Sequence, residues 1–268
     1  MKIEGRTFVI SGGASGLGQA TTEELVRAGG YVSVLDMNED NGAAVVKKVG
    51  ADKARFFQCN VTDTESIAAA VKGTVEWVKE TGKPLGGVIP AAGISLPSTM
   101  LDRHNNPLSL SDFNFVLAVN LTGTIDLVRQ VLPHLAATHP VGAAGSLEEG
   151  ERGIVIMVAS AAAFEGQRGQ VSYSASKGAV TSMTLPMTRD LSRYGIRVVT
   201  LAPSLFESAM TSLMSDKVRK SLEGAMEFPQ RAGRPEEFAM AARHAIENVM
   251  LNGTVIRLDG GMRMPSKL

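Results

Sequence analysis

Five strand-length runs rich in Val and Ile, each separated from the next by a stretch of helical period, constrain this chain more than any other feature. They are Thr7-Phe8-Val9-Ile10, Tyr31-Val32-Ser33-Val34-Leu35, Gly87-Val88-Ile89, Ile154-Val155-Ile156-Met157-Val158 and Ile196-Arg197-Val198-Val199-Thr200-Leu201. A strand with one wet face alternates apolar and polar residues. These runs barely alternate, so both faces are buried. Helices are expected over residues 18–28, 63–79, 110–135, 173–193 and 235–249. Repeated βα units with no antiparallel hairpin signal predict an α/β fold, a doubly wound and mainly parallel sheet between two helix layers. Right-handed crossovers then put ligands at the carboxyl ends of the strands.

At 268 residues the chain can bury a full core as one domain spanning 1–268. The stretch 138–152, with Pro140, glycines and an acidic cluster at Glu148, Glu149 and Glu151, reads as a surface insertion before the fifth strand. Lys plus Arg and Asp plus Glu both total 27, so no basic excess points to nucleic acid. No basic amphipathic stretch points to a membrane, and a neutral surface is compatible with an oligomer. Cys59 is the single cysteine and reads as an inert thiol at a buried strand end. His104, His134, His139 and His244 lack metal-ligand spacing, so no metal is expected. Met1-Lys2-Ile3-Glu4-Gly5 leads directly into the first strand without a secretory leader. The cytoplasm is the expected location, with the mitochondrial matrix as the alternative.

Ser11-Gly12-Gly13-Ala14-Ser15-Gly16-Leu17-Gly18 follows the first strand and opens the first helix. Gly12, Gly16 and Gly18 let the backbone turn tightly and approach a pyrophosphate, whose charge the helix N-terminal amides then meet. Asp36 ends the second strand, where a carboxylate can accept hydrogen bonds from ribose hydroxyls and would repel a 2′-phosphate. Neither Ala14 nor Ser15 supplies a compensating positive charge, so NAD(H) is expected over NADP(H).

Tyr173-Ser174-Ala175-Ser176-Lys177 places Tyr173 and Lys177 on one helix face, and Ser160 ends the fifth strand thirteen residues earlier. Taking a proton from a secondary alcohol needs a base near its hydroxyl, and a free tyrosine titrates near 10. A Lys177 ammonium and a cationic nicotinamide ring would lower that value. Ser160 can donate to the substrate oxygen. Asn120, on the long helix, can hold a water linking Lys177 to solvent, or can be a packing amide.

Taken together, Gly12-x-x-x-Gly16-x-Gly18, Ala91-Ala92-Gly93, Asn120, Ser160, Tyr173-x-x-x-Lys177 and Leu258-Asp259-Gly260-Gly261 resemble the short-chain dehydrogenase/reductase family. Within it, 163–167, 172–178 and 251–260 look like the type-2 3-hydroxyacyl-CoA dehydrogenase, or type-10 17β-hydroxysteroid dehydrogenase, group. The resemblance implies a single Rossmann-type domain with a seven-stranded sheet, NAD dependence, a homotetramer and a broad substrate range. It makes Tyr173 the acid/base, Lys177 the cofactor-ribose contact and pKa tuner, Ser160 the substrate-orienting group and Asn120 the proton relay. It implies further nucleotide contacts from Ser15, Leu17, Asp36, Asn60, Val61, Ala92, Gly93, Pro203, Leu205 and Ser208.

The chain departs from the family pattern at four places. Pro90 stands where the central strand usually has Asn. Asn60 replaces an acid before Val61. Ser204 replaces the glycine after Pro203. Arg168 lies in a stretch that is apolar in the group it resembles.

For the substrate, Ser160, Leu96, Phe164, Gln167, Leu205, Phe206 and Met210 are the expected contacts, with Leu213 and Met214 in the same segment. A largely apolar secondary alcohol or ketone follows, with a 3-hydroxyacyl-CoA ester or a hydroxysteroid-like molecule as the candidates. The alternatives are a tailoring reductase of a specialised metabolite and a noncatalytic NAD-binding subunit of a larger assembly. An intact Ser, Tyr and Lys set argues against the latter.

Overall fold

In the computed structural model, which describes residues 1–140, 142, 146, 149–212, 214 and 216–264, strands and helices alternate as the apolar runs demand. The strands are β1 (Thr7–Ser11), β2 (Tyr31–Asp36), β3 (Ala54–Gln58), β4 (Leu85–Pro90), β5 (Gly153–Val158), β6 (Ile196–Pro203) and β7 (Thr254–Leu258). The helices are α1 (Gly16–Arg27), α2 (Glu39–Val49), α3 (Thr64–Thr81), α4 (Leu110–Leu117), α5 (Gly123–Ala136), α6 (Val171–Leu191), α7 (Ala209–Ser212), α8 (Asp216–Gly224) and α9 (Pro235–Glu247). The sheet order is β3-β2-β1-β4-β5-β6-β7, and every pairing is parallel rather than mainly so. The described part of the expected 138–152 insertion joins α5 to β5.

The near-continuous apolar runs are explained by where alternate residues go. Phe8 and Ile10 pack into one buried cluster with Leu25, Phe238 and Ile246, while Val9 between them joins Leu127, Val131 and Val180 on the opposite face. Ile154, Ile156 and Val158 divide from Val155 and Met157 in the same way. With a period of two and two apolar faces, no position in these strands is left for a solvated side chain.

The chain passes from β1 outward to β2 and β3, then returns to β4 on the other side of β1. That reversal leaves a crevice above the carboxyl ends of β1 and β4, where adjacent connections diverge. The ladder between β4 and β5 runs from Gly87↔Ile154 to Val88↔Val155 and stops short of Pro90, which has no N–H to extend it. The helix expected over 110–135 runs unbroken from Leu110 to Ala136 but is not α-helical throughout. A π-helical turn, Ala118–Thr122, separates α4 from α5 and contains Asn120.

Candidate active site

A cavity of about 950 Å³ opens over this crevice, reached by the ends of β1, β2, β4, β5 and β6 and by the first turns of α1 and α6. Its lining unites residues spread over most of the chain, from Gly12 to Met264.

At one end lies the glycine loop. Gly12 has φ +64°, and a Cβ there would sit 2.9 Å from the backbone of Ala92, so only glycine lets the two loops approach. A Cβ on Gly18 would fall 2.1 Å from the Gly12 carbonyl oxygen, so the first turn of α1 can lie on the loop only without a side chain. Ser15 caps α1 with no side-chain hydrogen bond, and no acid occupies the first turn. The amides at this helix start are thereby left for an anion. Asp36 is tied to the loop, its Oδ2 accepting from Ala14 N at 3.2 Å and its Oδ1 from Asn38 N at 3.1 Å. Asp36, Lys177 and Arg168 are the charged residues among the described lining. A dinucleotide's pyrophosphate and ribose thus fit this end, with the loop glycines and Asp36 to hold them.

Asn60 and Val61 also line the cavity. The Asn60 Oδ1 accepts from Thr62 N at 3.0 Å and from Thr62 Oγ1 at 2.8 Å, so the hydrogen-bonding capacity left on its side chain is that of a donor. An acid at this position would offer an acceptor, so the change from acid to amide reverses the local polarity. Cys59, deeper in the wall, is buried, and its thiol is pushed up to about 11 by desolvation, as expected for an inert group.

In the middle of the cavity Ser160, Tyr173 and Lys177 converge. Ser160 leaves β5 in extended conformation and caps a short 3₁₀ turn, its Oγ accepting from Ala162 N at 3.2 Å. The Tyr173 hydroxyl is hydrogen-bonded with Ser160, and Lys177 Nζ lies 5.8 Å from the Tyr173 ring centre. Lys177 is buried, and its ammonium donates to the Val158 carbonyl, the last of β5, at 2.8 Å. Desolvation lowers its pKa to about 8. The same burial raises Tyr173 above its ordinary 10 and outweighs the opposing effect of Ser160. The expected lowering of Tyr173 therefore does not follow from the protein side chains alone.

Asn120, fully buried in the π turn, acts as a clamp. Its Oδ1 accepts from Ile94 N at 2.8 Å, and its Nδ2 donates to Ile94 O at 2.9 Å and to Ser176 Oγ at 3.1 Å. Ser176 Oγ in turn donates to the Tyr173 carbonyl at 2.7 Å. The loop after β4 is thus fastened to the helix that carries Tyr173. A methyl group placed on Gly93 would sit 3.3 Å from Asn120 Oδ1 and 3.5 Å from Lys177 Nζ, which measures how tightly these groups meet.

Of the other expected contacts, Ser15, Leu17, Ala92, Gly93, Gln167, Pro203, Leu205, Phe206 and Ser208 all reach the cavity wall. Leu96 and Phe164 do not. Leu96 is 38% exposed, while its neighbours Ser95 and Pro97 line the cavity. Phe164 is 48% exposed and lies against the Arg257 guanidinium, 5.1 Å from its ring centre. Met210 belongs to α7, but its side chain, like Leu213, lies outside the described residues. Ser204 Oγ is buried without a partner among the described residues, at the wall beside Pro203. Sequence reasoning missed Met37, Ile94 and Ser95, although each adjoins a residue it had named. It also missed Phe115 and Met264. Met264 is brought back to the cavity because its N–H donates to Glu165 Oε2 at 3.2 Å, and Glu165 is itself held bidentately by Arg257.

Comparison with known proteins agrees with this geometry. Residues 6–219 match the family model described as short chain dehydrogenase. The rat protein 3-hydroxyacyl-CoA dehydrogenase type-2 (Rattus norvegicus) is 41% identical over 263 residues, covering 98% of this chain and 97% of that protein. The crystal structure of 3-hydroxyacyl-CoA dehydrogenase type-2 from Mycobacterium avium superposes with a TM-score of 0.89 at 33% identity, over 98% of both chains. A 3-ketoacyl-(acyl-carrier-protein) reductase from Brucella melitensis, solved in complex with NADH, superposes at 0.81 with 25% identity, over 97% of this chain and 98% of that one. The chain belongs to the short-chain dehydrogenase/reductase family, and is an oxidoreductase acting between alcohol and ketone.

Proposed function

We propose that the protein is an NAD(H)-dependent dehydrogenase of secondary alcohols on a largely apolar substrate. The observation that carries this reading is the convergence of Ser160, Tyr173 and Lys177 on the cavity that the glycine loop and Asp36 also line. The nicotinamide, when bound, accepts or returns the hydride. The chain's own groups handle the oxygen. Ser160 donates a hydrogen bond to it, and Tyr173 removes or supplies its proton. Lys177, charged below about 8, holds its ammonium beside the Tyr173 ring and favours the phenolate. Asn120 keeps the Gly93–Ile94 loop against Lys177, from which a proton relay to solvent would start.

The choice of NAD over NADP rests on Asp36, with no cation lining the same end of the cavity among the described residues. Solution of the B. melitensis relative with NADH is consistent with that choice. We expect kcat/KM with NADH to exceed that with NADPH by at least about tenfold, which is roughly 1.4 kcal/mol. Asp36→Ala should narrow the gap. Equal use of both cofactors by the wild type, or no gain with NADPH in the variant, would sink the assignment.

The names of the relatives bring forward 3-hydroxyacyl thioesters, and the apolar lining from Leu205, Phe206 and Met214 also suits a hydroxysteroid-like alcohol. NADH absorbance followed against 3-oxoacyl thioesters, steroid ketones and simple ketones tests the reading. Turnover of none of them would favour a noncatalytic NAD-binding subunit. A homotetramer is also proposed, because Leu110, Phe115, Val171 and Leu185 on α4 and α6, and Met250 just before β7, are exposed apolar side chains. Light scattering at micromolar concentration is expected to give four times the chain mass; a monomer would contradict it.

A further inference from the structure

We propose that Arg168 selects ketones and alcohols that carry an anion, either a carboxylate or a phosphate. The inference rests on the dehydrogenase reading above and decides which of its substrate classes the site prefers. Arg168 sits in a tight turn directly ahead of α6. The turn is closed by Gln167 N donating to Gln170 Oε1 at 2.9 Å and by Gln170 N donating to Gln167 O at 3.0 Å. It is pinned from outside by Ser98 N donating to Gly169 O at 2.9 Å, and Gly169 adopts φ +84° to allow it. Arg168 is therefore presented from a fixed backbone, exposed, and among the residues that line the cavity holding Tyr173.

Nothing among the described residues neutralises it. Arg168 makes no ion pair or hydrogen bond there, whereas the nearby cations Arg257 and Arg263 are taken up by Glu165 and Asp259. Glu165, three residues away and the nearest acid in sequence, is held by both nitrogens of Arg257 and by Met264 N. The only acid lining the cavity among the described residues is Asp36, at the nucleotide end. The described lining also includes the apolar Ile94, Pro97, Met214 and Met264. Tyr173 follows Arg168 by five positions, a Cα distance of at most about 17 Å. A substrate carrying an anion would meet the planar donor fork of the guanidinium with charge-assisted hydrogen bonds. A neutral steroid-like molecule would leave that fork unused.

The test compares three ketones that share one reacting group: 3-oxobutanoyl-CoA, free 3-oxobutanoate and neutral ethyl 3-oxobutanoate. NADH consumption is followed with wild type, Arg168→Val and Arg168→Lys. We expect Arg168→Val to raise KM tenfold or more for an anionic ketone, with kcat within a few fold and the ethyl ester's KM within twofold. Arg168→Lys should recover part of the loss. Added salt should raise the wild-type KM for the anion and leave that of the variant unchanged. A loss confined to the thioester identifies phosphate as the anion; a loss confined to the free acid identifies carboxylate. Equal effects on charged and neutral ketones, no effect on either, or a wild type that turns over only the neutral ester would overturn the proposal. A wild type inactive on all three would instead overturn the dehydrogenase reading beneath it.

Discussion

Tyr173→Phe is expected to cut turnover by about a thousandfold while leaving the Kd for NADH within about threefold. The substitution removes one oxygen and keeps the ring that packs beside Lys177, so the shape of the wall survives. Positioned acid–base groups contribute about 10²–10⁴ in rate. Lys177 lines the same cavity, but its ammonium is committed to the Val158 carbonyl. Stopped-flow or steady-state turnover, with fluorescence titration of NADH on the same samples, separates chemistry from binding. More than about a tenth of wild-type activity in the variant would place the acid–base group elsewhere.

Gly18→Val is expected to weaken NADH binding by more than tenfold and to destabilise the fold by roughly 1–3 kcal/mol. The clash is with backbone: the new Cβ would lie 2.1 Å from Gly12 O and 2.7 Å from Gly12 C. A flexible side chain could swing aside, but the loop cannot move without breaking its fit to Ala92 or to the start of α1. At this chain length that penalty lowers Tm by about 2–12 °C. Gly82→Ala is the control. Gly82 also has positive φ, +65°, but nothing lies within 4 Å of its missing Cβ. It should cost some stability and leave NADH affinity unchanged. Normal affinity in Gly18→Val would mean that the loop does not hold the nucleotide.

Much of the architecture was legible from residue pattern because burial on both sheet faces leaves a local signature. Alternation of apolar with polar residues is absent from strands such as Ile154-Val155-Ile156-Met157-Val158, where both sets of side chains enter a core. The glycine loop was legible for a similar reason. Gly12 and Gly18 answer a close backbone approach that no other residue permits, and that demand shows in a short segment. The spacing of Tyr173 and Lys177 is a property of one helix and needs no tertiary information.

Other features are not local. Leu96 and Phe164 were expected at the substrate on composition, yet the direction of a side chain in an extended or 3₁₀ segment is set by what it packs against. Phe164 turns to Arg257, far along the chain, which Glu165 and Asp259 hold in place. Met264 reaches the cavity through the same network. The π turn at Asn120 likewise has no signature in residues of ordinary helical propensity. It exists where the amide must bridge Ile94 and Ser176.

By itself, then, the order of residues determined the parallel α/β sheet, the phosphate loop and the Ser160, Tyr173 and Lys177 set, since each depends on periodicity, a missing side chain or a helical repeat. Only the tertiary structure decided the electrostatics and the walls. Desolvation of Lys177 to about 8 and the raised Tyr173 arise from segments distant in the chain, and Arg168 is left without a partner at the rim among the described residues. Desolvation and ion pairing sum over every neighbour in space, and a sequence records neighbours along the chain only.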